Sequence, residues 1–587
     1  MRLKQTAVLT LFIITKLSQI SKTTQLGLDL DIKISDALNI NKKGGNQNSK
    51  GVKLELDEGV LEGEILEIST GGQTYNSFKG IPYAAPPVGN LRFKAPEPPL
   101  KWKGVRSAKK HGSQCVQRSF FGDNVKFGSE DCLFLNVYTP NLIPNKSMAV
   151  IIYIHGGGYT EGSGDSDILG PDFLMQYDIV LVTINYRLGP LGFLGLDTIE
   201  VPGNAGLKDQ IAAMRWVKKY IAKFGGDPDN VTLMGQNAGG AAVSLHTVSQ
   251  MSNGLFKRAI IISGSFLNDY AIAREPRKRA FILGRKLGLD TNNVTELYVY
   301  LQKADLEKMF KANPDILMGD EDLAKLHVIC YYGPVVEKKV GGEQFLTESP
   351  EVLERSGKVN QVDIIIGHTN LEALYIDAIL EKDILELYPI YQSLLVSVKV
   401  RRIVDPFKAL ELSDQVRDYY FGNKTISSKT MNAIINFDTD NHYVYDIYRL
   451  LIAFPENIGT KKYSYTFSYH SSRNIFSRPG RKYNLTGAAH TDDLQYIFDR
   501  KTDGLSPVNK SSDAYRVIKR QCQLFTNFAK YSNPTPDTSL GVTWQPYTAD
   551  SRNEMIMGEN LEPTVISFEG SFLGFWKKFL TSVDILF

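Results

Sequence analysis

The segment Gly235-Gln236-Asn237-Ala238-Gly239 follows a short apolar run, Val231 to Met234, and leads into a small-residue stretch that reaches Val243. A Gly-x-X-x-Gly frame between a strand and a helix is the pattern of a nucleophile elbow. The two small residues let strand and helix approach closely, and the middle residue presents its side chain at the top of a sheet. A serine there would attack an acyl carbon. The middle residue of this chain is Asn237, whose carboxamide nitrogen is not nucleophilic at neutral pH and carries no hydroxyl proton for a base to remove. The backbone tolerates the exchange, because Asn enters positive φ more readily than most non-glycine residues. The frame of acyl chemistry is therefore expected around a position that lacks its attacking atom.

Other chemistry-bearing residues fall in a consistent order. The apolar run Met148 to Ile154 ends in His155-Gly156-Gly157-Gly158-Tyr159. Such glycines form either a plain tight turn or an oxyanion hole. Their place after a buried strand and upstream of the elbow favours the second, with the N–H groups of Gly157 and Gly158 joined by that of Ala238 at the helix start. The general base should come last, after the elbow and the acid. Of eight histidines, His490 in Gly487-Ala488-Ala489-His490 has that place. His246 reads as a packed core residue and His155 as a support of the glycine turn. Ser244 lies almost two helical turns beyond the apex, too far to replace the nucleophile. Glu372 follows an apolar strand, Val362 to Gly367, and on local grounds alone reads as a solvated or capping residue. The histidines and carboxylates show no metal-ligand spacing, so neither metal nor cofactor is expected.

The elements that must position these residues alternate. Strands are expected at 148–154, 179–185 and 231–234, and an amphipathic helix over 205–224 carries Leu207, Ile211, Met214, Trp216, Val217 and Ile221 on its apolar stripe. On local grounds alone, Asp209 and Gln210 have a bland reading as surface positions of that helix. Helices are expected over 277–287 and 293–310, a helical insertion over 371–451, and a returning strand over 463–469. Short buried strands alternating with helices predict an α/β chain, a mostly parallel sheet covered on both faces.

The 587 residues are 43% hydrophobic and 22% charged with a net charge of +3, which supports a large core and gives no argument for nucleic acid as a partner. Residues 1–24 begin with Arg2 and Lys4 before a short apolar run, the shape of a secretory signal peptide; a buried helix is the bland alternative. Residues 25–51 read as a flexible leader and 52–587 as one folded domain. No stretch reaches the ~18 to 20 apolar residues a transmembrane segment needs. A secreted, extracellular protein is expected, with Asn-x-Ser/Thr sequons at Asn145, Asn230, Asn293, Asn423, Asn484 and Asn509. Cys115 and Cys132 are close enough to close a small loop. Cys330 and Cys522 read as free thiols or a second bridge. The last residues, from Ser571, read as a packed helix rather than a membrane-surface anchor.

Taken together, FKGIPYAAPPVGNLRFKAP (78–96), SEDCLFLNVYTP (129–140), HGGGY (155–159), NYRLGPLGF (185–193), GNAGLKDQ (203–210), FGGDPDNVTLMGQ (224–236) and GAAH (487–490) resemble the carboxylesterase and cholinesterase family, the type-B esterases of the α/β-hydrolase fold. The resemblance implies a triad of apex residue, Glu372 and His490. It also implies that Asn237 stands where the family has its serine. In subtilisin, loss of the serine lowers turnover by about 10⁶, or ~8 kcal/mol of barrier. Arg92-Phe93, Asp209-Gln210, Gln236, Glu372 and Gly487-x-x-His490-x-x-Asp493 resemble the insect juvenile-hormone-esterase branch. A choline ester is not supported, since the loop from Cys115 to Cys132 holds Phe120 and Phe121 but no Trp to face a quaternary ammonium. Two readings follow: a non-hydrolysing protein that binds an apolar or ester-like ligand or an extracellular protein partner, and an active carboxylic ester hydrolase. In the first, Asn237 is expected to hydrogen-bond His490 and hold the empty pocket in order.

Overall fold

A computed structural model of the chain describes residues 51–119, 125–126, 128–312, 331–456, 459–502, 504–505 and 507–585. The expected signal and leader segments, Phe120, Phe121 and Cys330 lie outside these residues. The strands of the main sheet are β1 (Gly51–Leu56), β2 (Gly59–Glu67), β3 (Thr74–Pro82), β4 (Val105–Ser107), β5 (Phe134–Thr139), β6 (Met148–Ile154), β7 (Ile179–Ile184), β8 (Gly226–Gln236), β9 (Arg258–Ile262), β10 (Asp363–Thr369), β11 (Lys462–Phe467), β12 (Asn553–Met557) and β13 (Leu561–Val565), and the short pair Gln117–Arg118 and Val125–Lys126 stands apart from them. Together β1 to β13 make a 13-stranded sheet in the order β1-β2-β3-β5-β7-β6-β8-β9-β10-β11-β12-β13, with β4 beside β2. From β7 to β12 every neighbour is parallel, and antiparallel strands flank that run at both ends. The fold is the expected α/β-hydrolase arrangement.

Strand sequences dictate the two layers. Successive side chains point to opposite faces, and here both faces are apolar. Val150, Ile152, Ile154, Leu233 and Ile261 enter one core, while Ile151, Tyr153, Met234, Ile260 and Ile262 enter the other. Helices α1 (Ala205–Tyr220) and α2 (Ala238–Val248) contribute to the first core, as do α3 (Leu374–Leu387), α4 (Pro406–Tyr420), α5 (Met431–Thr439) and α6 (Tyr445–Ala453) of the insertion. Helix α7 (Asp513–Tyr531) covers the opposite face with Ile518, Phe525 and Phe528. Helix α8 (Phe572–Thr581) buries Leu573, Trp576 and Phe579, and the Trp576 Nε1–H donates to the Tyr420 hydroxyl at 2.8 Å, so it is a packed helix. Among the described residues no helix is long and apolar enough to cross a membrane.

Two expectations need correction. Asp209 and Gln210 are fully buried, not on the surface. The Asp209 carboxylate accepts from Arg187 Nε at 2.8 Å and from a terminal guanidinium nitrogen at 2.6 Å, while Gln210 Oε1 accepts from His246 Nε2 at 2.8 Å. The physical reason is that α1 is covered on more than its sheet side, and a paired charge survives burial where a lone one does not. The helix expected over 293–310 is two, Val294–Lys303 and Leu306–Lys311, because the Asp305 carboxylate accepts from Lys308 N–H and caps a new start.

The Cys115–Cys132 disulfide forms as expected, closing a loop with a sequence separation of 17. Cys522 is a buried free thiol.

Candidate active site

The strand order reverses direction around β6. The chain passes from β6 to β7 on one side and then crosses to β8 on the other. Ligand crevices of open α/β sheets form at the carboxyl ends of strands at such a switch point. Those ends carry His155 to Gly158 after β6 and Asn237 after β8, with Ile154 paired to Gly235. The glycines are required by contact. A Cβ on Gly239 would lie 2.1 Å from the Ile154 carbonyl oxygen, and one on Gly156 would lie 2.6 Å from that of Gln236.

Asn237 sits at φ 57°, ψ −125°, positive φ but outside the ordinary left-handed helical basin. Its backbone is held on both sides: the N–H donates to the Ile262 carbonyl at 2.9 Å, and its own carbonyl accepts from Ala241 N–H at 2.8 Å. The side chain makes no cap on α2. Instead Oδ1 accepts from Gly157 N–H at 3.3 Å and Gly158 N–H at 3.2 Å. The third donor expected from the sequence, Ala238, opens α2 immediately after the apex and is buried.

Glu372 and His490 are brought together by different elements. Glu372 follows β10 by three residues, and a bridge between Leu371 and Ala489 lays the His490 loop beside it. The Glu372 Oε2 accepts from His490 Nδ1 at 2.5 Å, while its Oε1 accepts from the Ser263 hydroxyl at 2.6 Å and Thr369 N–H at 2.7 Å. Burial alone would raise the Glu372 carboxyl, but His490, followed by Ser263 and Thr369, brings it below the usual carboxylate range. The ionised acid thereby fixes the Nδ1–H tautomer, leaving the Nε2 lone pair toward the cavity.

That lone pair accepts from Gln236 Nε2 at 3.0 Å. The expected hydrogen bond from Asn237 to His490 is not formed. Two backbone N–H groups draw the carboxamide oxygen of Asn237 to the glycine loop, and the neighbouring Gln236 takes His490 instead. Gln236 also donates to the Thr491 hydroxyl at 3.2 Å. In the sequence Gln236 is only one letter of the motif, and no local signal marks Ser263. Ser263 follows β9, and its relation to Glu372 emerges only when the ends of β9 and β10 are set side by side.

His155 stacks on Tyr186 with ring centroids 4.4 Å apart, and its Nδ1–H donates to the Gly156 carbonyl at 2.8 Å. Burial pushes its pKa down to about 4, so it is a neutral brace for the turn. His246 is the expected core residue, fully buried against Gln210 and Ser252. Ser244 donates to the Ala241 carbonyl at 2.7 Å within its own helix. Asp493 is fully buried, and burial, then Glu372 and Asp492, push its carboxyl well above the ordinary range.

A cavity of about 590 Å³ opens above these groups. Asn237, His490 and the three glycines form its floor, and Leu169, Tyr270, Tyr375, Tyr443 and Phe476 are among its walls. The Tyr443 ring lies 5.0 Å from that of His490. A cavity of this size, lined by aromatic and polar side chains in comparable measure, suits a small organic ligand. Among the described residues there is no group of three or more His, Cys, Asp or Glu side chains placed to hold a metal ion.

A carboxylesterase family profile matches residues 48–576. The chain is 33% identical to a juvenile hormone esterase of Tribolium castaneum over 502 residues, covering 81% of this chain and 83% of that one. It is 30% identical to a juvenile hormone esterase of Heliothis virescens over 536 residues, covering 88% and 91%. A crystal structure of juvenile hormone esterase from Manduca sexta, with OTFP covalently attached, superposes with a TM-score of 0.79 at 30% identity, covering 91% of this chain and all of that one.

Proposed function

Because the chain belongs to the carboxylesterase family, we propose that it keeps the family's ligand chamber and acid–base pair while hydrolysing esters poorly, and acts by retaining an apolar or ester-like ligand. Glu372 and His490 are read as acid and base, Gly157, Gly158 and Ala238 as oxyanion donors, and Asn237 as the residue at the nucleophile position. One observation carries this: Asn237 Oδ1 already accepts from Gly157 and Gly158 N–H, the donors that an ester carbonyl would need. The apex therefore offers no nucleophile and also competes for the oxyanion hole. Similarity to juvenile hormone esterases makes a juvenile-hormone-like ester the favoured ligand.

A second reading, slow hydrolysis by a water activated at His490, is favoured by the intact Glu372–His490 hydrogen bond. Turnover of an activated ester by the native protein, His490→Ala, Asn237→Ser and Asn237→Ser/His490→Ala separates the two. The expected result is an inactive native protein, gain of activity in Asn237→Ser, and its loss in the double variant. Native turnover that His490→Ala abolishes would establish the second reading.

The proposal includes secretion, with residues 1–24 as the signal, 25–51 as a leader and 52–587 as the hydrolase-like domain. Of the six sequons, Asn145, Asn293, Asn423, Asn484 and Asn509 are exposed and suit glycans, whereas Asn230 is half-buried with its Oδ1 accepting from Arg258. An extracellular protein partner would use a surface outside the chamber. Its capture would survive substitutions at Asn237 and His490.

A further inference from the structure

The apex carboxamide is held the way a hydrolase holds its substrate. Its carbonyl oxygen accepts from two backbone N–H groups, Gly157 at 3.3 Å and Gly158 at 3.2 Å, and it lines one cavity with His490. Those donors favour charge on Oδ1, and so favour a tetrahedral centre at the adjoining Cγ. His490 keeps the tautomer of a general base, Nδ1–H on Glu372 and a lone pair on Nε2. Gln236 Nε2 holds that lone pair at 3.0 Å, and its second bond, to the Thr491 hydroxyl at 3.2 Å, is one the amide can keep while releasing His490 to a water.

We propose that Asn237 is a self-modification site, at which water hydrolyses the side-chain carboxamide and leaves an aspartate at the apex. The inference rests on the reading of Glu372 and His490 as an acid–base pair. Water approaches Cγ from the cavity, His490 Nε2 takes one of its protons, and the new O–C bond forms as the carbonyl electron pair moves onto Oδ1. The intermediate collapses, the Cγ–N bond breaks, and the His490 proton passes to the departing nitrogen. Ammonia leaves, and it takes the proton of the new carboxyl group. Carboxamide and water become carboxylate and ammonium, with no change of oxidation state.

The product suits its place. A carboxylate is a better acceptor than a carboxamide for the glycine N–H groups, and it stands at the N-terminus of α2, an 11-residue helix. It would not restore ester hydrolysis: a carboxylate attacking an ester would have to expel the more basic alkoxide and form an anhydride. The inference is therefore compatible with retention of an ester-like ligand.

A competing route has to be distinguished. The Ala238 nitrogen could attack Cγ to give a succinimide, which reopens to a mixture of aspartate and isoaspartate without help from His490. The test incubates the full native chain in heavy-oxygen water and reads the peptide spanning the apex by mass spectrometry at the start and over time. Expected are aspartate at position 237 in normal linkage only, one heavy oxygen per conversion in its side chain, and one ammonia released. His490→Gln is expected to slow conversion about a hundredfold or more. An Asn237 that stays intact, or isoaspartate in the native chain, overturns the inference; the linkage test does not depend on how well His490→Gln folds. The Asn237→Ser ester assay separates the two levels. If that variant is active while native Asn237 stays intact, the inference falls and the acid–base reading stands; if it is inert and Asn237 intact, both fall.

Discussion

At the scale of single residues, the apex is where chemistry and backbone conflict. A non-glycine residue at φ 57°, ψ −125° occupies a sparsely populated region, at a cost of about 1 to 3 kcal/mol. The bonds to Ile262 and Ala241 hold it there, and the side chain recovers part of the cost through two long hydrogen bonds to the glycine loop. Replacement by Ala removes those bonds and keeps the Cβ strain, whereas Gly removes both. Asn237→Gly is therefore expected to be more stable than Asn237→Ala by about 1 kcal/mol, the reverse of the usual order in a helix or strand. Urea denaturation of the two variants decides it; Ala at least as stable as Gly would mean that the apex is not strained. The identity of the residue was legible in the sequence, because two glycines at fixed distance mark the turn. The partner of its carboxamide was not. A glycine loop and a histidine both lie within the same cavity, and the choice depends on which one Gln236 already serves.

At the scale of elements, legibility follows the range of the forces. The glycines of the elbow and of 156–158 could be read because backbone contact leaves no alternative: a Cβ at Gly239 would meet the carbonyl oxygens of Ile154 at 2.1 Å and of His155 at 2.8 Å. Gly239→Ala is accordingly expected to separate β6 from α2 and to lower stability by about 3 kcal/mol or more, since backbone cannot yield as a flexible side chain does. A denaturation midpoint close to the native value would show that the two elements have slack. The apolar stripe of α1 could be read for the same reason, as a periodic signal within one segment. The burial of Asp209 could not, because its partner Arg187 lies 22 positions away and periodicity says nothing about a charge that will be paired. Glu372 belongs to the same class. Its local sequence gives a capping residue, and only the parallel pairing of β9 with β10, the bridge to Ala489 and the family resemblance gather Ser263, Thr369 and His490 around it.

At the scale of the whole molecule, burial of titratable groups sets how stability responds to acid, and opposite contributions meet in one pH range. Burial raises Glu354 to about 7, and Asp440 likewise to about 7. A folded-state value above the unfolded one means that these acids stabilise the fold at low pH and lose that contribution as pH rises toward 7. His246 acts the other way. Burial alone lowers it to about 3, and its two ring nitrogens are committed to Gln210 and Ser252 as a neutral imidazole. Unfolded, it takes a proton near its ordinary value of 6.5. The folded chain refuses that proton until far lower pH, so its stabilising contribution is complete above 6.5 and declines as pH falls toward 3. Between pH 7 and pH 5 the loss comes to roughly 2 kcal/mol, which the buried acids mask in the native protein. Comparison with His246→Gln unmasks it. The variant is expected to be less stable than the native chain at pH 7, with the gap narrowing by roughly 2 kcal/mol at pH 5 in urea titrations. A gap that stays constant across that range would mean that His246 takes up a proton while folded, and that the core between α1 and α2 admits charge which its packing is here taken to exclude.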